Sequence, residues 1–157
     1  MARPIKKIKL GDYFSIKGIQ YSQLQKGMII NFDYTGVNAH DKTPMIYVLE
    51  VRKDRVYGFN LRYKPTLFND IRKAKQITIA KLIDSKLAEL AGKGVPADVL
   101  GDPKLKENIL QDIPKQYFEY FEIDIKTNAA KYMLRNYLPD KISNLKYLNF
   151  KPTTENL

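Results

Sequence analysis

Three neighbouring stretches decide the fold: Gly27-Met-Ile-Ile-Asn-Phe-Asp-Tyr34, Pro44-Met-Ile-Tyr-Val-Leu-Glu-Val51 and Arg55-Val-Tyr-Gly-Phe-Asn-Leu-Arg-Tyr-Lys64. In the first, Met28, Ile30, Phe32 and Tyr34 alternate with Asn31, Asp33 and Thr35, the period of a half-buried strand. The second is apolar almost throughout, as a central strand covered on both faces is. The third sets Tyr57, Phe59, Leu61 and Tyr63 on one face and Val56, Gly58, Asn60 and Arg62 on the other. A polar loop, Gly36 to Thr43, and a turn at Lys53-Asp54 join them. Three strands with short connections form a meander, the kernel of a small barrel or curled sheet. Gly58 within the third strand marks the bend or bulge that strong curvature needs.

Downstream the period changes to that of a helix. Pro65 and Thr66 can start one; Leu67 and Ile71 stand four apart, and Ile79, Ile83, Leu87 and Leu90 continue as an apolar stripe until Gly92-Lys93-Gly94. Asp102 and Pro103 suit the cap and first residue of another helix, with Leu105, Ile109, Leu110 and Ile113 as its apolar side and Pro114 as its end. After that the pattern admits two readings. Tyr117, Phe118, Tyr120 and Phe121 fit either a short helix or the start of a strand reaching Ile125. Ala129 to Tyr137 reads as helix, and Ile142, Leu145 and Leu148, three apart, place a last helix over Asp140 to Asn149. Upstream, Lys6, Lys7 and Lys9 alternate with Ile5, Ile8 and Leu10 in a basic arm, with one short strand near Tyr13 to Ile16.

Charge is the strongest global signal. Lys and Arg number 27 against 17 Asp and Glu, giving +10 over 157 residues, a field that attracts polyanions. There is no cysteine, so disulfides, thiolate metal sites and cysteine nucleophiles are excluded. His40 is the only histidine, so no two-histidine metal site exists, and beside Asp41 it suits a surface or hydrogen-bonded role better than catalysis. No phosphate-binding glycine loop or serine elbow is present. No apolar run is long enough to span a bilayer, and no apolar segment follows the basic start as a targeting signal would require. Asp33 and Glu50, followed by Arg52, are the one acidic arrangement that suggests a metal-dependent nuclease. Such sites want a lysine where Arg52 stands, because arginine does not give up its proton. No catalytic residue, metal or cofactor is therefore expected.

What remains is binding. Aromatics along the third strand interleaved with Arg55, Arg62 and Lys64 could stack bases while the cations track phosphates. The competing reading makes Tyr57, Phe59, Leu61 and Tyr63 the inward face of the barrel, and it is favoured. Even then Arg52, Arg55, Arg62 and Lys64 form one surface cluster, Arg72 and Lys73 with Lys75 a second, and Lys6, Lys7 and Lys9 a third. Such clusters bind phosphate without reading sequence, or an acidic protein surface.

The segments GMIINFDYTGVN, PMIYVLEV and RVYGFNLRY, with LRNYLPDKISNLKYL at 134–148, resemble small proteins of large tailed bacteriophages. The matching positions are Phe32, Tyr34, Pro44, Gly58, Asn60, Leu61 and Tyr63, in an F-x-Y strand, a Pro-led apolar strand and a G-x-N-L-x-Y strand. The resemblance covers about a third of the chain and implies a phage origin and a small-barrel core. It carries no activity and no catalytic residues.

The expected fold is therefore α+β: a small, curled, mainly antiparallel sheet, with an SH3-like barrel as its tightest form, and appended helices. It reads as a single domain over 1–157. Its parts are a basic arm over 1–26, a three-strand barrel core over 27–64, a helical insertion over 65–113, a helix or strand element over 114–150 and a tail over 151–157. Two functions compete. A DNA-associated phage protein would hold backbone phosphate with Lys6, Lys7, Lys9, Arg52, Arg55, Arg62, Lys64, Arg72 and Lys73. A virion component of neck, tail or baseplate would lay its arm on an acidic phage protein and dock through Tyr117, Phe118, Tyr120 and Phe121, as part of a larger assembly. Either places the protein in the host cytoplasm or the virion, away from membranes.

Overall fold

The computed structural model describes residues 5, 6, 8, 14–37, 39–113 and 134–151. The meander forms where the alternation places it. Its strands are β2, Ile29–Tyr34, β3, Met45–Val51, and β4, Val56–Asn60, preceded in the chain by β1, Phe14–Gly18. Antiparallel pairing aligns Ile30 with Ile46 and Tyr47 with Phe59. Both faces are buried. Ile30, Phe32, Tyr34, Ile46, Val48 and Val56 form an inner core with Leu24 and Met28. Ile29, Met45, Tyr47, Phe59 and Leu61 belong to an outer core beneath the helices. The inward assignment of the third stretch is thereby reversed. Phe59 and Leu61 face the helix layer, and Val56, aligned on the other face with Gly58 and Asn60, lies inside. The last residues of that stretch, Leu61–Tyr63, leave the sheet as a 3-10 turn.

The C-terminal helix expected over Asp140 to Asn149 is instead a strand, β6, Ile142–Phe150. β5, Leu134–Tyr137, likewise replaces the end of the helix expected over Ala129 to Tyr137; the rest of that helix and Tyr117 to Phe121 lie outside the described residues. The three-residue spacing that suggested a helix has two causes in a strand. Asn31 pairs with Lys146 but Asp33 with Ser143, so β6 carries one extra residue, and Asn144 takes a left-handed φ of 52° there. The bulge moves Leu145 to the same inner side as Ile142, three positions away. Leu148 is three further on because it lies on the opposite face, in the outer core.

The six strands among the described residues form one antiparallel sheet in the order β1-β6-β2-β3-β4-β5. β2 and β5 are three strand spacings apart, about 14 Å in a flat sheet. Yet the rings of Tyr34 and Tyr137 have centroids 4.9 Å apart, and Phe32 and Tyr137 5.1 Å, both edge to face. The sheet is therefore strongly curled about its inner core. Only Leu138 to Lys141 link β5 to β6 across four strand spacings, a span that such a link reaches only on a curled sheet. Tyr34 fastens this corner: its hydroxyl oxygen accepts the Leu138 N–H at 3.1 Å, and Thr35 N–H donates to the Lys141 carbonyl at 3.0 Å. The curl stops short of closure. β1 and β5 remain unpaired edges among the described strands, so the sheet is open and not a closed barrel.

The helix layer follows its sequence signals. α1 spans Pro65–Gly92, with Pro65 in its first turn, and buries Phe68, Ile71, Lys75, Ile79 and Ile83 on the sheet side. It ends where Gly94 adopts a φ of +89°. A single helical turn, α2, Ala97–Leu100, precedes α3, Pro103–Asp112, whose cap Asp102 accepts the Lys104 N–H at 3.0 Å. Part of the segment read as an arm is built into the sheet. β1 pairs with β6, and Leu24 is buried in the inner core.

Gly58 lies within β4, closely approached by Ile46 and Tyr47 of β3. It pairs with Val48, and one residue on, Tyr57 pairs with Glu50, so β3 bulges opposite it. A Cβ at Gly58 would collide with the Ile46 side chain and lie 2.5 Å from the Tyr47 carbonyl oxygen, whereas one at Gly18 meets nothing within 4 Å. Gly58→Ala should therefore lose about 2–3 kcal/mol in urea unfolding. Gly18→Ala should stay within about 0.5 kcal/mol of the parent.

Candidate functional site

The surface cluster expected at Arg52, Arg55, Arg62 and Lys64 is divided by β4. Arg52 and Arg55 sit at the β3–β4 turn, and Arg62 and Lys64 lie at the far end of the strand, roughly 20 Å away. At the turn the cations are engaged. Arg52 pairs with Glu50 through two contacts, 2.8 and 3.3 Å, and lies over the Tyr57 ring at 4.9 Å. Arg55 contacts Asp54 and Asn136, each at 3.3 Å. Arg72 and Lys73 stand two turns into α1, Arg72 half-buried and Lys73 exposed. Lys7 and Lys9 lie outside the described residues.

The other end of β4 holds a buried, densely hydrogen-bonded polar group. The loop between β2 and β3 turns at Asp41, whose carboxylate accepts the Thr43 N–H at 2.9 Å, the local turn that aspartate favours. Asp41 is only 6% exposed. Its second oxygen accepts the Asn60 side-chain N–H at 2.9 Å, and Arg62 donates to the first at 2.6 Å. Arg62 also donates to the Thr43 carbonyl at 2.7 Å and to the Thr43 hydroxyl. Asn60, fully buried, uses its side-chain oxygen to accept the Arg62 N–H at 3.1 Å and so caps the 3-10 turn. A carboxylate taken out of water needs this degree of compensation. Arg62, expected as a phosphate ligand, is thus committed to holding the loop.

This locked pair positions its sequence neighbours. His40 precedes Asp41 and Tyr63 follows Arg62, and their rings stack with centroids 6.0 Å apart and planes 18° from parallel. The Arg135 guanidinium, from β5, lies 5.1 Å from the Tyr63 ring centroid, within cation–π range. Lys6 joins from the N-terminal segment through its backbone N–H to the Arg62 carbonyl at 3.0 Å, while Ile8 packs on the outer core. Lys64 is next along the chain. Among the described residues neither Lys6 nor Lys64 has a carboxylate partner. Three chain segments and β5 therefore meet around a ring stack that the Arg135 guanidinium caps on the Tyr63 side. Behind it, burial and the nearby Asp41 charge push the Tyr137 phenol well above its ordinary value.

The sequence missed Arg135 altogether and treated His40 and Tyr63 as unrelated. Their only signal was adjacency to Asp41 and Arg62, whose pairing joins positions 21 apart. The nuclease pair is not assembled. Asp33 accepts a hydrogen bond from Asn144 at 2.6 Å beside β6, whereas Glu50 pairs with Arg52 at the opposite end of the sheet, about 20 Å off. No group of three His, Cys, Asp or Glu among the described residues is placed to hold a metal ion, and no described helix is long and apolar enough to cross a membrane.

The two arginine pairs differ in burial, and stability should separate them. The Arg62 and Asp41 side chains are 23% and 4% exposed, against 54% and 52% for Arg52 and Glu50. Arg62→Ala strands a buried carboxylate and should cost about 3 kcal/mol in urea unfolding. Arg52→Ala should cost under about 1 kcal/mol.

No protein-family model, no curated protein and no solved structure matches the chain.

Proposed function

We propose that the protein is a non-catalytic, basic phage protein that associates with DNA through its backbone phosphates. The observation that carries this reading is the Arg135 guanidinium over the His40–Tyr63 stack, with Lys6 bonded through its backbone to Arg62 and Lys64 next to Tyr63 in the chain, in a protein of net charge +10. Cations beside aromatic rings, on a base fixed by a buried ion pair, combine long-range attraction with a defined point of contact. The contact set is narrower than the one the sequence suggested. Arg52, Arg55 and Arg62 already hold acidic partners, so Lys6, Lys64 and Lys73 remain of that set, and Arg135 is added because its guanidinium lies over the Tyr63 ring. The finer fold in this reading is an SH3-like barrel left open. It is supported by the order β6-β2-β3-β4-β5 and by the 3-10 turn at Pro139–Lys141 joining the last two strands. The phage setting, in host cytoplasm or virion, rests on the sequence resemblance.

A second reading, a virion assembly protein, draws on one feature. Val37, 88% exposed, and Leu138, 37% exposed, flank Tyr34 at the β5–β6 corner, with Lys42 and Lys141 nearby. That surface suits docking on an acidic protein better than contact with water.

Fluorescence anisotropy of labelled DNA between about 50 and 200 mM salt tests the first reading. Affinity should fall steeply with salt, and the Lys6→Ala, Lys64→Ala double variant should bind more weakly, with a salt slope reduced by about 2. Arg52→Ala should leave the slope unchanged. Absence of binding at the lowest salt sinks the DNA reading and leaves the assembly role, for which co-purification with virions is the check.

A further inference from the structure

We infer that the His40–Tyr63 stack is a landing place for an unpaired base, so that the nucleic acid held here is single-stranded. This deepens the DNA reading and rests on it.

The ring pair is built before any ligand arrives. His40 and Tyr63 are each one residue from a member of the Asp41–Arg62 ion pair, itself tied to Asn60 and Thr43. A platform held in advance loses little freedom on binding. His40 is exposed and Tyr63 half-buried, packed against the outer core, so the pair is anchored at one ring and open to solvent at the other. The near-parallel arrangement, 18° between planes, is one that a third flat ring can extend.

Stacking inside a duplex hides the faces of its bases, whereas an unstacked base of a single strand can offer one to a protein ring. Binding a duplex by phosphates alone calls for a broad cationic track. The residues that would carry such a track to the far end of β4, Arg52 and Arg55, are neutralised by Glu50 and Asp54. Lys6 and Lys64, which have no acidic partner among the described residues, are near the stack along the chain or through the backbone: Lys64 follows Tyr63, and the Lys6 N–H donates to the Arg62 carbonyl. Local charge beside a local ring surface fits a few nucleotides of flexible strand better than an extended helix.

The test compares three labelled probes of one length on the full chain at fixed low salt: a single-stranded thymidine 12-mer, an abasic strand with the same phosphates, and a duplex. The thymidine strand should bind at least about five-fold more tightly than the abasic strand. His40→Ala, a change at an exposed residue, should shrink that difference to under about two-fold while leaving abasic binding in place. A thermal melt matching the parent confirms that the variant is folded. Equal binding of thymidine and abasic strands overturns the stacking inference but leaves phosphate binding standing. Preference for the duplex overturns it too. Failure of all three probes to bind removes both the inference and the DNA reading beneath it.

Discussion

The contact of Tyr137 with Phe32 and Tyr34 is the interaction on which the architecture depends. These rings come from strands that a flat sheet would hold far apart, and their edge-to-face packing exists only if the sheet rolls around its inner side chains. Rolling in turn dictates where small residues go. Gly58 leaves the space that Ile46 occupies, Gly36 lies against the Tyr34 ring, and bulges in β3 and β6 absorb the strain that regular pairing would suffer. It also decides what the helices are for. A rolled sheet presents a convex outer face with Tyr47 and Phe59 upon it, and α1 is the cover.

Much of this was legible in the sequence, and the failures have a common cause. Alternation placed β2 and β4, an unbroken apolar run placed β3, and Pro65, Asp102 and Gly94 marked helix ends, because those signals are local. β6 was misread because a bulge at Asn144 broke the two-residue period and left apolar positions three apart. Period-counting has no means of telling an interrupted strand from a short helix. The face of the third strand was misassigned for another reason: both faces are buried, Val56, Gly58 and Asn60 as well as Phe59, so the more apolar face is not marked as the one that points inward.

The charge pattern was legible only as a sum. Clusters in sequence suggested Arg52, Arg55, Arg62 and Lys64 as one cationic patch, but a strand carries its two ends apart, and acids one to two residues away, or 21 away for Asp41, take up three of the four. The residues that do converge come from the N-terminal segment, a loop, a 3-10 turn and β5. Their meeting depends on the buried pairing of Asp41 with Arg62. A single carboxylate in the wrong solvent thus sets both the loop's conformation and the place where aromatic and cationic side chains meet.

The helices are spliced between β4 and β5, and the first strand pairs with the last: Ser15 donates to the carbonyl of Asn149, 134 positions away. During synthesis the meander leaves the ribosome with Ile30, Phe32 and Val48 uncovered on its inner side. Neither Tyr137 nor Tyr147 exists to cover them until about 80 residues beyond Val56 have been made. Pairings of such long range close late and slowly, because the loop entropy must be met before any contact rewards it. The molecule's weakest moment therefore falls in the interval between translation of β4 and arrival of β5 and β6. A chain cut short in that interval would expose the inner core as an adhesive surface.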